Sequence, residues 1–136
     1  MIKPIVTDTF LLQQKSSPAQ ASDQQIIRDL YDTLAAHQDH CVGMAANMIG
    51  SSKRIIIVQP GPLPFVLVNP TIKKQQGPYT TSEGCLSLPG TRSTTRYQMI
   101  TVTYQDQNFH PHTETFTGAM AQIIQHELDH CDGILI

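Results

Sequence analysis

The apolar positions near the C-terminal end repeat with helical spacing. From Thr117 or Gly118 onward, Met120, Ile124, Leu128 and Cys131 recur every three or four residues, the period of an amphipathic helix. A second such stripe lies early in the chain. Ser22 followed by Gln25 reads as a capping box, and Ile26, Leu30 and Leu34, widened by Ile27 and Tyr31, continue from it. That pattern predicts a helix over 22–37. Residues 1–21, with Pro4 and Pro18 and little periodicity, read as an extended arm. The middle of the chain has strand character. A β-branched run covers 54–59 and a second run covers 65–69, ended by Pro70. A short edge strand is expected over 72–76, with a turn at Gly77-Pro78. Residues 99–104 and 112–117 alternate and read as hairpin partners across Asp106-Gln107-Asn108. Strands with two helices and no regular βαβ alternation predict an α+β domain. Its antiparallel or mixed sheets would pack around the C-terminal helix, with the second helix near the N-terminus.

Composition narrows the class. The 136 residues suit a single domain over 1–136. Nine basic and eleven acidic side chains leave a net charge of −2, which makes no electrostatic case for nucleic acid. No apolar run approaches the roughly 20 residues that span a bilayer. The opening Met1-Ile2-Lys3-Pro4 lacks the apolar core of a signal peptide. The expectation is a soluble cytoplasmic protein. Three widely spaced cysteines, Cys41, Cys85 and Cys131, do not make a disulfide framework.

The C-terminal helix also carries His126-Glu127-Leu128-Asp129-His130. Imidazoles four apart on a helix share a face and can bind one metal ion. At roughly 100° per residue, Ala119 and Ile123 share that face, and Glu127 falls between it and the core residues. An unpaired carboxylate there is expensive, so Glu127 needs a proton, a cation or a water held on the metal. A catalytic site of this kind takes a third protein ligand and leaves one position open. Cys131 lies on the core side of the helix. His37, His40, His110 and His112 have no partner spacing and read as solvated. Cys41 and Cys85 remain, and composition does not choose between them. Cys85 lies in Glu83-Gly84-Cys85-Leu86-Ser87-Leu88-Pro89-Gly90, an irregular or sharply bent stretch. Cys41 opens a run of small residues, Cys41 to Gly50, read as a tight loop that lets backbone approach a neighbour.

Taken together, Glu83-Gly84-Cys85-Leu86-Ser87 and His126-Glu127-Leu128-Asp129-His130 resemble the peptide deformylases, and Gly43-Met44-Ala45-Ala46 resembles a third motif of that family. The resemblance chooses Cys85. It implies that Cys85, His126 and His130 hold a divalent metal, Fe²⁺ as the native ion, with Zn²⁺, Ni²⁺ or Co²⁺ as substitutes. It implies that a water on the metal attacks the formyl group of an N-terminal formyl-methionine and that Glu127 shuttles the proton. It makes the Leu86 N–H an oxyanion donor. It implies a nascent formylated polypeptide as partner, met at the ribosome. Val42, Gly43, Asn47, Met48, Ala119 and Ile123 are the expected substrate-binding residues.

The chain departs from the third motif at two positions. Cys41 stands where the family has its first Gly, and Met48 where it has a Gln that serves as oxyanion donor. The chain also stops six residues after His130, without the C-terminal helix of some members. Met48 leaves open a deformylase-like metal protein with weak or no turnover; a hydrolase of another N-acyl group is the other alternative. Asn47, one residue earlier, carries an amide and replaces the Gln only if the segment bends there.

Overall fold

A computed structural model describes all 136 residues. Five strands form one sheet in the order β1-β2-β3-β4-β5, each antiparallel to its neighbours. They are β1 (Gly43–Ala45), β2 (Ile55–Val58), β3 (Phe65–Cys85), β4 (Leu88–Gln105) and β5 (Pro111–Thr117). Three helices accompany them: α1 (Thr9–Leu12), α2 (Gln24–Ala36) and α3 (Gly118–Cys131). None is long and apolar enough to cross a membrane.

The expected α+β architecture is present, with the C-terminal helix against the sheet. Ile124, Leu128 and Cys131 of α3 are buried with Ile55, Ile56 and Ile57 of β2, and Ile27, Leu30 and Leu34 of α2 join the same core. The arm is extended apart from α1, a single turn capped by the Asp8 carboxylate on Phe10 N–H and anchored by the fully buried Leu12. The helix start differs in detail from the expected capping box. A 3₁₀ turn, Ala21–Asp23, precedes α2. Its reciprocal pair joins Gln20 and Asp23: Gln20 N–H donates to the Asp23 carboxylate at 2.8 Å.

The strands were underestimated. The expected strand over 65–69, the edge strand over 72–76 and the turn at Gly77-Pro78 are all parts of β3. β3 runs through Pro70 and Gly77 without ending. The register shifts between Val68 and Thr71 and again between Ile72 and Lys74. A bulge of this kind tolerates a proline that cannot donate to the ladder. Asn69 and Gly77 take positive φ angles of 51° and 71°, conformations open to Asn and Gly.

The stretch around Cys85 is a hairpin tip. Cys85 pairs with Leu88, leaving Leu86 and Ser87 between them, and a register shift displaces Pro89 and Gly90. Side chains alternate along a strand, so Glu83 and Cys85 share a face of β3. Cys41 to Gly50 is also more ordered than a loop. It holds β1 and then a 3₁₀ turn, Ala46–Ile49, closed by Gly50 at φ 89°.

Candidate active site

The hairpin tip and α3 bring the three expected ligands together. The Cys85 Sγ lies 3.2 Å from His130 Nε2, which lies 3.3 Å from His126 Nε2. The three donor atoms all fall within 4.8 Å of one another. Tetrahedral bonds of about 2.0–2.3 Å to N and S place ligand atoms roughly 3.3–3.6 Å apart. One sulfur and two imidazole nitrogens at these separations fit a divalent ion. Cys41, the competing candidate, is not part of the cluster. Its thiol donates to the Gly43 carbonyl at 2.8 Å, and burial pushes it up to about 11.

Behind His126 lies a charged network that the sequence did not announce. His126 Nδ1 meets Glu83 Oε1 at 2.9 Å. Arg96, from β4, grips the same carboxylate through Nε and Nη2, the latter at 2.7 Å, and reaches Asp129 with Nη1, also at 2.7 Å. Gln122 donates to Glu83 Oε2 at 2.8 Å. Arg96 therefore joins the strand that carries Cys85 to the helix that carries both histidines. Burial works to raise Glu83, but hydrogen bonds from His126, Arg96 and Gln122 outweigh it and hold the carboxyl at about 2. Burial lowers His126, but contacts with Cys85 and Glu83 raise it by more, so its net shift is upward. Burial and the charge on His126 push His130 down to about 4.

Glu127 is only 4 % exposed, and its Oε1 has no partner. Burial is the main cause that pushes its carboxyl up to about 7. A carboxyl poised near neutral pH is suited to take a proton and give it back. Gly43 makes room for it. A Cβ at position 43 would come within 2.9 Å of Glu127 Oε2 and 2.7 Å of Ile123 Cγ2. Here a close approach of backbone to a buried carboxylate requires glycine.

A cavity of about 220 Å³ opens beside the cluster. Four of the expected substrate-binding residues, Val42, Gly43, Met48 and Ile123, line it, together with Leu86 and Glu127. Gln122 and His40 also border it, and neither was anticipated in that place. Two expected residues lie elsewhere. Ala119 is exposed on the first turn of α3 and does not reach the cavity wall. It shares the face of His126, but at 1.5 Å per residue it lies roughly 10 Å along the axis. Asn47 is buried away from the cavity, and its amide donates to the His130 carbonyl at 2.7 Å. The segment does bend, as a 3₁₀ turn, yet that bend aims Asn47 at α3 and leaves Met48 at the cavity. Met48 is itself 1 % exposed, with the Ala45 N–H 3.4 Å from its Sδ.

The family model of polypeptide deformylase matches residues 2–136. The chain belongs to that family. A peptide deformylase of Clostridium beijerinckii is 54 % identical over 136 residues, covering all of both chains. One from Chlorobaculum parvum is 35 % identical over 99 % of this chain and 78 % of its own. Among solved structures, a Met-Ala-Ser-bound class I type b peptide deformylase of Acinetobacter baumannii superposes with a TM-score of 0.88 at 29 % identity, covering 99 % of this chain and 97 % of that one. The Thermotoga maritima peptide deformylase gives 0.89 at 27 % identity, covering 99 % and 95 %. As a member of this family, the chain is a metal-dependent hydrolase that removes the formyl group from the N-terminal methionine of nascent polypeptides.

Proposed function

We propose that Cys85, His126 and His130 hold the metal of this deformylase and that Glu127 is its proton carrier. The observation that carries the reading is the convergence of one thiol and two imidazoles within 4.8 Å, beside a buried carboxyl at about 7. When bound there, a divalent ion supplies Lewis acidity and brings the pKa of a water toward neutrality. The native ion of our reading is Fe²⁺, with Zn²⁺, Ni²⁺ and Co²⁺ as working substitutes; a mixed thiolate and imidazole set accepts all four.

The residues of the chain do the rest. Val42, Leu86, Met48 and Ile123 form an apolar wall suited to a methionine side chain. The peptide bound to the Acinetobacter relative begins with methionine, which supports that use. Glu127 accepts the proton of the attacking water and passes it to the leaving amine. The Leu86 N–H, at the hairpin tip beside Cys85, donates to the developing oxyanion. His126 Nδ1–H donates to the Glu83 carboxylate, which keeps the ring in the tautomer that offers Nε2. The site of action is the cytoplasm, on chains emerging from the ribosome.

Met48 favours a second reading of the rate. A thioether donates no hydrogen bond, and Asn47 is committed to His130. The oxyanion therefore has one donor fewer than the family motif provides, and turnover is correspondingly weak. Release of the free amino terminus tests both readings, with formate as co-product from a formyl-Met tripeptide and acetate as co-product from the acetyl-Met control. Release from the formyl peptide alone is expected. Release from neither, with one equivalent of metal bound, would leave a metal-binding protein without this activity.

A further inference from the structure

The two imidazoles of the cluster are fixed unequally. His126 has Glu83 behind its Nδ1 at 2.9 Å. His130 is fully buried, and its Nδ1 meets no partner. A ligating histidine ordinarily bonds through its second nitrogen, which sets the orientation of the ring. His130 lacks that support and is held instead through its backbone. Its carbonyl accepts the Gly133 N–H at 3.1 Å, which closes the helix end. It also accepts the Asn47 amide at 2.7 Å, across 83 residues of chain. Asn47 is 4 % exposed, and its own Oδ1 is buried without a partner. A buried unpaired oxygen is costly, so local stability alone is a poor reason for an amide here.

We propose that Asn47 is a positioning residue for the His130 ligand. Its amide fixes the carbonyl of His130, and with it the backbone from which Nε2 reaches toward Cys85 and His126. Asn47 shares a 3₁₀ turn with Met48, which lines the cavity. The same bond therefore ties the cavity wall to the ligand helix. The proposal rests on the reading of Cys85, His126 and His130 as metal ligands.

The geometry separates this role from a purely structural one. Without the amide, the His130 carbonyl keeps the Gly133 N–H, and the orphaned Oδ1 is gone. The metal-free fold should be little affected, while the last turn of α3 becomes free to shift. A structural residue would show the reverse, with stability lost and metal affinity kept.

The test is Zn²⁺ affinity of the full chain by chelator competition, for the parent, Asn47→Ala, Asn47→Ser and His130→Ala. Serine keeps a hydroxyl that is too short to reach the carbonyl. We expect affinity to fall about 10–100-fold in both Asn47 variants. Their metal-free melting temperatures should move by less than about 4 °C, and the visible bands of their Co²⁺ forms should shift. Parent-like affinity in both variants overturns the proposal. So does a loss of affinity accompanied by a larger fall in metal-free melting temperature. Parent-like affinity in His130→Ala overturns the ligand assignment itself, and the proposal with it.

Discussion

Replacing Arg96 by Ala should destabilise this protein more than almost any other single polar change. Arg96 is 3 % exposed and its Glu83 partner 8 %. The substitution removes the grip on Glu83 and leaves that carboxylate buried beside His126. Removing one partner of a buried ion pair costs about 3–5 kcal/mol. Asp129 adds less, because its side chain is 23 % exposed and pairs near the surface contribute about 0–1 kcal/mol. For a chain of this size, each kcal/mol moves the melting temperature by about 3–4 °C, so a fall of roughly 10–20 °C is expected. The pH dependence has a definite sign. Glu83 is held at about 2, below its ordinary 4.5, so its contribution is present above pH 4.5 and is lost as pH falls through about 2. The gap between parent and variant should be constant from pH 8 to 5 and narrow in acid. Thermal unfolding of the chelator-treated proteins measures it. A triple variant, Arg96→Met with Glu83→Gln and Asp129→Asn, removes the stranded charges together and should recover most of the loss. A fall under about 3 °C in Arg96→Ala, or a triple variant no better than the single, would refute the argument.

Glu127→Gln should keep its metal and lose about 10²–10⁴-fold in turnover; metal loss or retained activity would count against the proton-carrier role. Glu127 is raised from 4.5 to about 7, so its burial weakens the metal-free fold as pH climbs from 4.5 through 7. The glutamine variant should therefore melt with the parent at pH 4.5 and above it at pH 8. Met48→Gln should raise kcat toward the 10²–10³ that one oxyanion donor supplies, with little change in KM. A kcat altered by less than about threefold would mean that another donor already acts. The Fe²⁺ form should lose activity in air as the cysteine thiolate oxidises, whereas the Ni²⁺ form persists; equal half-lives would refute this.

What the sequence made legible was local. The His pair on α3 follows from helical spacing, and the core stripes of both helices follow from apolar periodicity. Cys85 was reached through resemblance, because composition treated Cys41 as its equal. What stayed hidden depends on pairs far apart in the chain. Glu83 and Arg96 are thirteen residues apart, and only the β3–β4 register shows that they share a face with Cys85. Gln125 is a polar residue of α3 off its apolar stripe. It is in fact buried, with its amide exchanging two hydrogen bonds with the Tyr97 backbone at 2.8 and 2.9 Å. Asn47 is the sharpest case. Alternation lets Asn47 replace the Gln only if its segment bends, and the segment does bend without bringing Asn47 to the cavity. A 3₁₀ turn advances about 120° per residue, so neighbouring side chains do not share a direction. Met48 takes the cavity and Asn47 takes the ligand helix. On the two proposals made above, catalytic strength and metal affinity divide between two adjacent residues, so substitutions at 48 should act on kcat and those at 47 on metal affinity.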